Sequence, residues 1–270
     1  MDWWQALLLG IVQGLTEFLP VSSSGHLMIV REILGVDAEG FLDFTVTVHF
    51  ATVLSTLVVF WAAIWQIIKG VFKFKYNDET DYFLKLCVSM IPVAVVGFCF
   101  KDKVESLFGD SLRTVAVCLF ITAVLLCLSD ILTRTLKYKN TARNGISWWQ
   151  ALVVGLGQAC AVAPGLSRSG TTIATGLISG VKRESMAQFS FLMVLAPIIG
   201  EQLLDILDMV GGEAVPSTGV GAPALVFGFL AAFVSGLFAC KVMVALVKKA
   251  RLSWFALYCA VVAVALLIFA

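Results

Sequence analysis

Glu17-Phe18-Leu19-Pro20-Val21-Ser22-Ser23-Ser24-Gly25-His26 interrupts an apolar helical run with a proline, three hydroxyls, a glycine and an imidazole. Upstream, Gln13 stands four residues before Glu17, so the two share one helix face. Polar groups like these are costly in apolar surroundings unless something pairs or uses them. A second stretch, Ala163-Pro164-Gly165-Leu166-Ser167-Arg168-Ser169-Gly170-Thr171-Thr172, breaks another apolar run in the same way.

The two breaks belong to an internal repeat. A shift of 145 residues lays Trp3-Trp4-Gln5-Ala6-Leu7 on Trp148-Trp149-Gln150-Ala151-Leu152, Gly10 on Gly155 and Gln13 on Gln158. It also lays Ser22, Ser24 and Gly25 on Ser167, Ser169 and Gly170, giving ten identities across positions 3–25 without a gap. Self-similarity of this kind marks a duplication. The differences carry information too. Glu17 falls on Val162, Ser23 on Arg168 and His26 on Thr171, so one half keeps an acid and an imidazole and the other a permanent cation. Together they make one asymmetric site.

Composition sets the surroundings. Of 270 residues, 60% are hydrophobic and 14% charged, against about 25% charged in soluble domains, and mean hydropathy is +0.95. The expectation is an all-α polytopic membrane protein. A net charge of +1 offers no basic field for nucleic acid. Asp2 and the lack of a basic leading segment argue against a cleaved signal peptide. The seven cysteines, Cys87, Cys99, Cys118, Cys127, Cys160, Cys240 and Cys259, are scattered through apolar runs and read as buried small hydrophobes, not a metal cluster or disulfide framework.

Crossing the hydrocarbon core takes roughly 20 helical residues. The interrupted runs 3–34 and 147–181 have second arms too short for that, so they read as re-entrant hairpins with buried tips. The remaining apolar runs, at about 44–68, 86–100, 112–133, 187–207, 223–247 and 253–270, read as six transmembrane helices. Arg134, Lys137, Lys139 and Arg143 place their loop inside. The loop bearing Glu201, Asp205, Asp208 and Glu213 suits the outside, and Lys248, Lys249 and Arg251, like Lys69, Lys73 and Lys75, then fall inside. Both termini face outward. The halves, 1–146 and 147–270, each hold one hairpin and three spans and form one structural domain. Three spans are odd, so the second half is inverted, an arrangement that brings broken helices together near the midplane.

The chemistry follows from the residue types. Arg168 is the only Arg or Lys between Arg143 and Lys182, and its guanidinium fork suits phosphate or carboxylate. Ser167, Ser169, Thr171 and Thr172 add hydroxyls, and Gly165 and Gly170 let backbone N–H groups approach an anion. The competing reading is an Arg paired structurally with Glu17. Ser22, Ser23 and Ser24 can serve as phosphate contacts, nucleophile or helix caps. His26, close to Ser23 and Glu17 in sequence, can exchange protons near neutral pH. Glu17 needs a partner, whether Arg168, His26 or a divalent ion. His49, mid-span, reads as structural.

Gln-Gly-Leu-Thr-Glu-Phe-Leu-Pro-Val-Ser-Ser-Ser-Gly-His (13–26) and Pro-Gly-Leu-Ser-Arg-Ser-Gly-Thr-Thr (164–172) resemble the undecaprenyl-diphosphatase family, also called the bacitracin-resistance protein family. The resemblance covers essentially the whole chain. It implies removal of the terminal phosphate of undecaprenyl diphosphate, which recycles the carrier for peptidoglycan synthesis. It further implies inverted repeats, often a homodimer, and a bacterial cytoplasmic-membrane location with a site reached from the outer face. By motif, Glu17 matches the family's essential acid, Ser23 the serine implicated as nucleophile or phosphate contact, and His26 the motif histidine. Arg168 with Ser167 and Thr172 matches the phosphate-binding motif, and Gln13 a position that is Glu or Gln. The resemblance implies a divalent cation, Mg²⁺ or Ca²⁺, with Glu17 as ligand; Gln13 leaves at most one carboxylate for it. The rival reading is a polyprenyl-phosphate transporter or flippase, because inverted repeats with broken helices are common there.

Overall fold

The computed structural model describes residues 1–37, 41–100, 111–135, 142–163, 165–211, 220–249 and 251–269, and the side chains within them except those of 42, 98, 196, 201–211, 248 and 249. Pro164, Lys137, Lys139 and Glu213 fall outside these residues, as do the side chains of Glu201, Asp205, Asp208, Lys248 and Lys249. The described residues form α-helices joined by turns, with one 3₁₀ turn at Arg143–Gly145. In chain order the helices are α1 (Trp3–Phe18), α2 (Ser23–Ile33), α3 (Phe41–Val59), α4 (Trp61–Val71), α5 (Asp78–Cys99), α6 (Leu112–Thr135), α7 (Trp148–Cys160), α8 (Arg168–Ile178), α9 (Arg183–Gly211), α10 (Ala222–Lys249) and α11 (Ser253–Phe269).

Both interrupted runs are helix–break–helix units. Ser22 and Ser167, one repeat apart, cap α2 and α8 by accepting from the Gly25 and Gly170 N–H groups at 3.3 and 3.1 Å, so each second arm starts earlier than the apolar pattern suggests. Ser22 sits at φ +69°, where a non-glycine residue is uncommon. Gly165 has φ +88°, and a Cβ there would run into the Val115 backbone and the Cys118 side chain, so only glycine fits.

Two expectations need correction. The run 44–68 is not one continuous span: α3 and α4 meet at Phe60 with a 72° bend. Thr52, Ser55 and Thr56 return their hydroxyls to the carbonyls of His49, Ala51 and Thr52 at 2.7, 3.0 and 3.0 Å, and such back-bonding competes with the helical ladder and bends it. Beyond the bend, Trp61, Trp65, Ile68 and Phe72 form an exposed row at helical spacing, which suits the membrane interface. Conversely, the run 86–100 is the apolar part of a longer helix that starts at Asp78. Its charges are absorbed locally. Lys85 Nζ donates to Asp81 at 2.6 Å with both side chains 3% exposed, and Asp81 also accepts from Tyr76 and Asn144.

Three described helices are long and apolar enough to cross a membrane, namely Asp78–Gly97, Leu112–Thr135 and Ala222–Val247; the bent α3–α4 pair passes the same test jointly. α11 is apolar over 17 residues. All seven tryptophans are exposed, as expected of side chains anchored at membrane–water boundaries. Cys118, Cys240 and Cys259 are buried as the sequence suggested, but Cys99, Cys127 and Cys160 are exposed, where apolar surroundings replace a packed core.

The helices pack in a cross-braced pattern. α1 lies along α10, α7 along α5, and α6 along α11. Gly10 and Gly14 let α1 approach Gly228, Ala232 and Ser235, and Gly155 lets α7 approach Ser89, as small residues do in membrane helix pairs. The main core gathers Leu119, Leu126, Ile173, Met186, Phe189 and Met243. These contacts fix the breaks against each other. Ser169 Oγ donates to the Leu19 carbonyl at 3.1 Å, and the Gly165 N–H points at Ser24 Oγ at 3.5 Å.

Candidate active site

Glu17, on the last turn of α1, is the hub. Gln13, one turn earlier, donates Nε2–H to Glu17 Oε2 at 2.9 Å, as the four-residue spacing requires. Ser23, at the start of α2, donates its hydroxyl to the same oxygen at 2.5 Å. Arg168, first residue of α8, reaches Glu17 Oε1 at 3.4 Å from 151 positions away. The Glu17 side chain is 11% exposed and that of Arg168 29% exposed, so the guanidinium keeps unspent donors on its open side. Its geometry toward Glu17 is long and single-pronged, unlike the parallel fork of a structural Arg–carboxylate pair.

That open side is a cavity. Glu17, Arg168, Ser169, Ser190, Thr52 and Thr56 supply its polar lining. Phe191, Val194, Leu195 and Ile198 of α9, spaced as one helix face, join Phe18 and Val53 to make its apolar lining. A site lined by both charged and apolar groups suits an amphiphile with an anionic head.

The other expected residues lie around this centre in different ways. Ser22 and Ser167 spend their oxygens as caps, while Ser24 faces Gly165. Thr172 is fully buried and shares a 2.6 Å hydrogen bond with Ser190, which lines the cavity. Both His26 nitrogens are engaged away from Glu17 and Ser23, one by the Ser22 carbonyl at 2.7 Å and the other by the Tyr258 hydroxyl at 2.8 Å. His49 does not stand apart in its helix as expected: its Nε2 lies 3.8 Å from Glu17 Oε2 while Nδ1 bonds the Thr45 carbonyl at 2.8 Å. The sequence did carry a signal for this wall of the site. Thr45, His49, Thr52 and Thr56 recur at four, three and four residues along an apolar helix, a polar stripe on one face.

A family model described as bacitracin resistance protein BacA matches residues 6–265. The chain belongs to this family. An undecaprenyl-diphosphatase of Bacteroides thetaiotaomicron is 52% identical over 268 residues, 99% of each chain. One of Parabacteroides distasonis is 53% identical over 261 residues, 97% of this chain and 96% of the relative. Another, of Methanobrevibacter smithii, is 39% identical over 277 residues, covering 98% and 96%.

For this BacA-family chain the donor set near Glu17 can be tested against a divalent ion. Among the described residues, no three His, Cys, Asp or Glu side chains gather at one point. Glu17 is the single carboxylate, but Gln13 Oε1 beside it is fully buried and has no hydrogen-bond partner. A carboxylate and an unspent amide oxygen are hard donors, and Mg²⁺ commonly takes one or two carboxylates and completes its shell with water and substrate phosphate. The residues fit such an ion held jointly with a phosphorylated ligand.

Proposed function

We infer that this integral membrane protein is a phosphatase that hydrolyses undecaprenyl diphosphate to undecaprenyl phosphate and inorganic phosphate. The observation that carries the reading is the Glu17–Arg168 pair, assembled from the two breaks in the lining of a cavity that is otherwise largely apolar. Membership of the bacitracin-resistance family and relatives named undecaprenyl-diphosphatase at about half identity support the same substrate. The product is the carrier form used for peptidoglycan synthesis, and its recycling underlies bacitracin resistance.

The head group lies against Glu17 and Arg168, and the first isoprene units lie along Phe191, Val194, Leu195 and Ile198. Arg168 holds the terminal phosphate and neutralises the charge that builds on its oxygens as the anhydride bond breaks. Ser169 and Ser190 line the cavity wall with hydroxyls anchored to the Leu19 carbonyl and to Thr172, while Ser22, Ser24, Ser167 and Thr172 hold the backbone that presents them. Ser23 Oγ, 2.5 Å from the Glu17 carboxylate, has the geometry of a hydroxyl activated by an adjacent base. Glu17 takes the proton from the attacking oxygen, Ser23's own or that of a water Ser23 holds. The new P–O bond forms at the terminal phosphorus as the bridging P–O bond of the anhydride breaks, and the lipid monophosphate leaves with the proton from Glu17. Where Ser23 attacks, a water deprotonated by Glu17 then attacks the phosphoserine, releasing inorganic phosphate and returning the proton to Ser23. His49 Nε2 faces the same carboxylate at 3.8 Å, on the opposite oxygen from Arg168. Glu17 and Gln13 Oε1 would hold a Mg²⁺ or Ca²⁺ ion, which would add to the neutralisation of the diphosphate.

The same reading includes six membrane crossings, two re-entrant hairpins and an inverted second half. Support comes from the packing. Under the 145-residue shift α7 answers α1 and α10 answers α5, and the contacts are α1 on α10 and α7 on α5, as a two-fold exchange requires. α11 of the second half buttresses the first break, with Cys259 at Pro20, and α6 of the first buttresses the second, with Thr122 accepting from the Ser167 N–H. The cavity opens outward from the cytoplasmic membrane in this arrangement, and the chain pairs as a homodimer. Phosphate release by detergent-purified protein tests the function. No gradient exists there, so turnover separates a hydrolase from a lipid carrier, and analogue binding without release refutes the assignment.

A further inference from the structure

The last helix, α11, reaches the first break through two consecutive residues. Cys259 Sγ lies 3.6 Å from the Pro20 carbonyl, and Tyr258 Oη lies 2.8 Å from His26 Nε2. The Tyr258 and His26 rings stack at 5.6 Å between centroids with planes 12° apart. His26 in turn places Nδ1 2.7 Å from the Ser22 carbonyl. A carbonyl only accepts, so Nδ1 carries the proton, and in the neutral ring Nε2 is bare and accepts the Tyr258 hydroxyl. The chain of bonds thus runs from Tyr258 through His26 to Ser22.

Ser22 is where such a strut is needed. Its φ of +69° is sparsely populated for a residue with a Cβ, and a conformation of that kind persists only when its surroundings hold it. Ser22 is followed by Ser23, whose hydroxyl must stay 2.5 Å from Glu17. A small rotation of the Ser22 peptide would swing Ser23 off the carboxylate.

We propose that Tyr258 is a positioning residue: acting through His26, it locks the Ser22 carbonyl and thereby aims the Ser23 hydroxyl at Glu17. The proposal rests on the phosphatase reading and gives the motif histidine a part different from proton exchange with substrate. Tyr258 makes this contact from 232 residues away, beyond the reach of either motif.

Tyr258→Phe removes one oxygen and keeps the ring. Loss of one hydrogen bond in the strut lowers kcat by about threefold to tenfold with KM within about twofold, because the cavity that binds substrate is untouched. His26→Asn keeps a donor for the Ser22 carbonyl but cannot reach Tyr258. In that background Tyr258→Phe has no further effect if both act on one strut. A second measurement is independent of turnover. The chain has two histidines, so ¹⁵N spectra of the imidazoles in detergent distinguish His26 readily, and its Nε2 resonance shifts when the tyrosine hydroxyl is removed. An unmoved His26 resonance in Tyr258→Phe, or equal losses from that substitution in both backgrounds, overturns the proposal. A wild-type protein that releases no phosphate overturns the phosphatase reading instead, while the imidazole spectra still decide whether the strut exists.

Discussion

Glu17→Gln separates a catalytic carboxylate from one that merely neutralises Arg168. The native carboxylate accepts from Ser23 at 2.5 Å and Gln13 at 2.9 Å and faces Arg168 at 3.4 Å. A glutamine offers one acceptor oxygen in place of two, so its amide nitrogen either opposes the Arg168 guanidinium, also a donor, or requires Gln13 to flip and present Oε1. The stability loss is that of one charge-assisted hydrogen bond, about 1.5–3 kcal/mol, offset by the relieved desolvation of an 11%-exposed carboxylate. The Arg168 side chain is 29% exposed, so its orphaned charge is partly solvated and adds little. A net loss of about 1–2 kcal/mol leaves a protein of ordinary stability folded. Turnover behaves differently. A proton-transfer group contributes about 10²–10⁴-fold, equivalent to about 2.7–5.4 kcal/mol of barrier. The assay is phosphate release from undecaprenyl diphosphate by purified variant, with thermal unfolding and binding of a non-hydrolysable analogue measured on the same preparation. The expected result is an intact fold, retained binding and turnover down at least a hundredfold. Specific activity within tenfold of wild type, beside a steep fall in unfolding temperature, refutes the reasoning and leaves Glu17 a structural counter-ion.

The remaining expectations are shorter. Arg168→Lys keeps the charge but loses the fork, and kcat/KM falls by about 10²–10³-fold in the same assay. Lys85→Met strands Asp81, both side chains being 3% exposed, and costs about 3–5 kcal/mol in unfolding experiments; adding Asp81→Leu recovers much of it. Gly14→Val drives a Cβ into Ser235 and the Ala232 carbonyl at the α1–α10 crossing, a loss of about 1–3 kcal/mol. Gly97→Ala, where a Cβ meets nothing within 4 Å, is neutral or stabilising and serves as its control.

Several features were legible because they depend on local chemistry. Pro20 and Gly165, the latter at φ +88°, stand in the two breaks, so the arms of both hairpins follow from the residues themselves. The Gln13–Glu17 bond follows from helical spacing alone. The helix expected over 86–100 begins earlier, at Asp78, and pairing of Asp81 with Lys85 lets its charged first turns pack. The bend in the run 44–68 is not legible in the sequence, because the run holds no proline or glycine and only back-bonding hydroxyls disturb its helix.

Apolar composition and the gapless 145-residue repeat were enough to specify a helical membrane protein with two broken segments, since each reports a local cost of burying backbone or polar groups. Partners across the chain were decided only in three dimensions. His49 at Glu17, Ser190 at Thr172 and Tyr258 at His26 are set by how α3, α9 and α11 pack, not by spacing within either motif. The same packing determines which hydroxyls face the cavity and which are spent as caps, because a serine's role depends on the donor that tertiary contact brings to it.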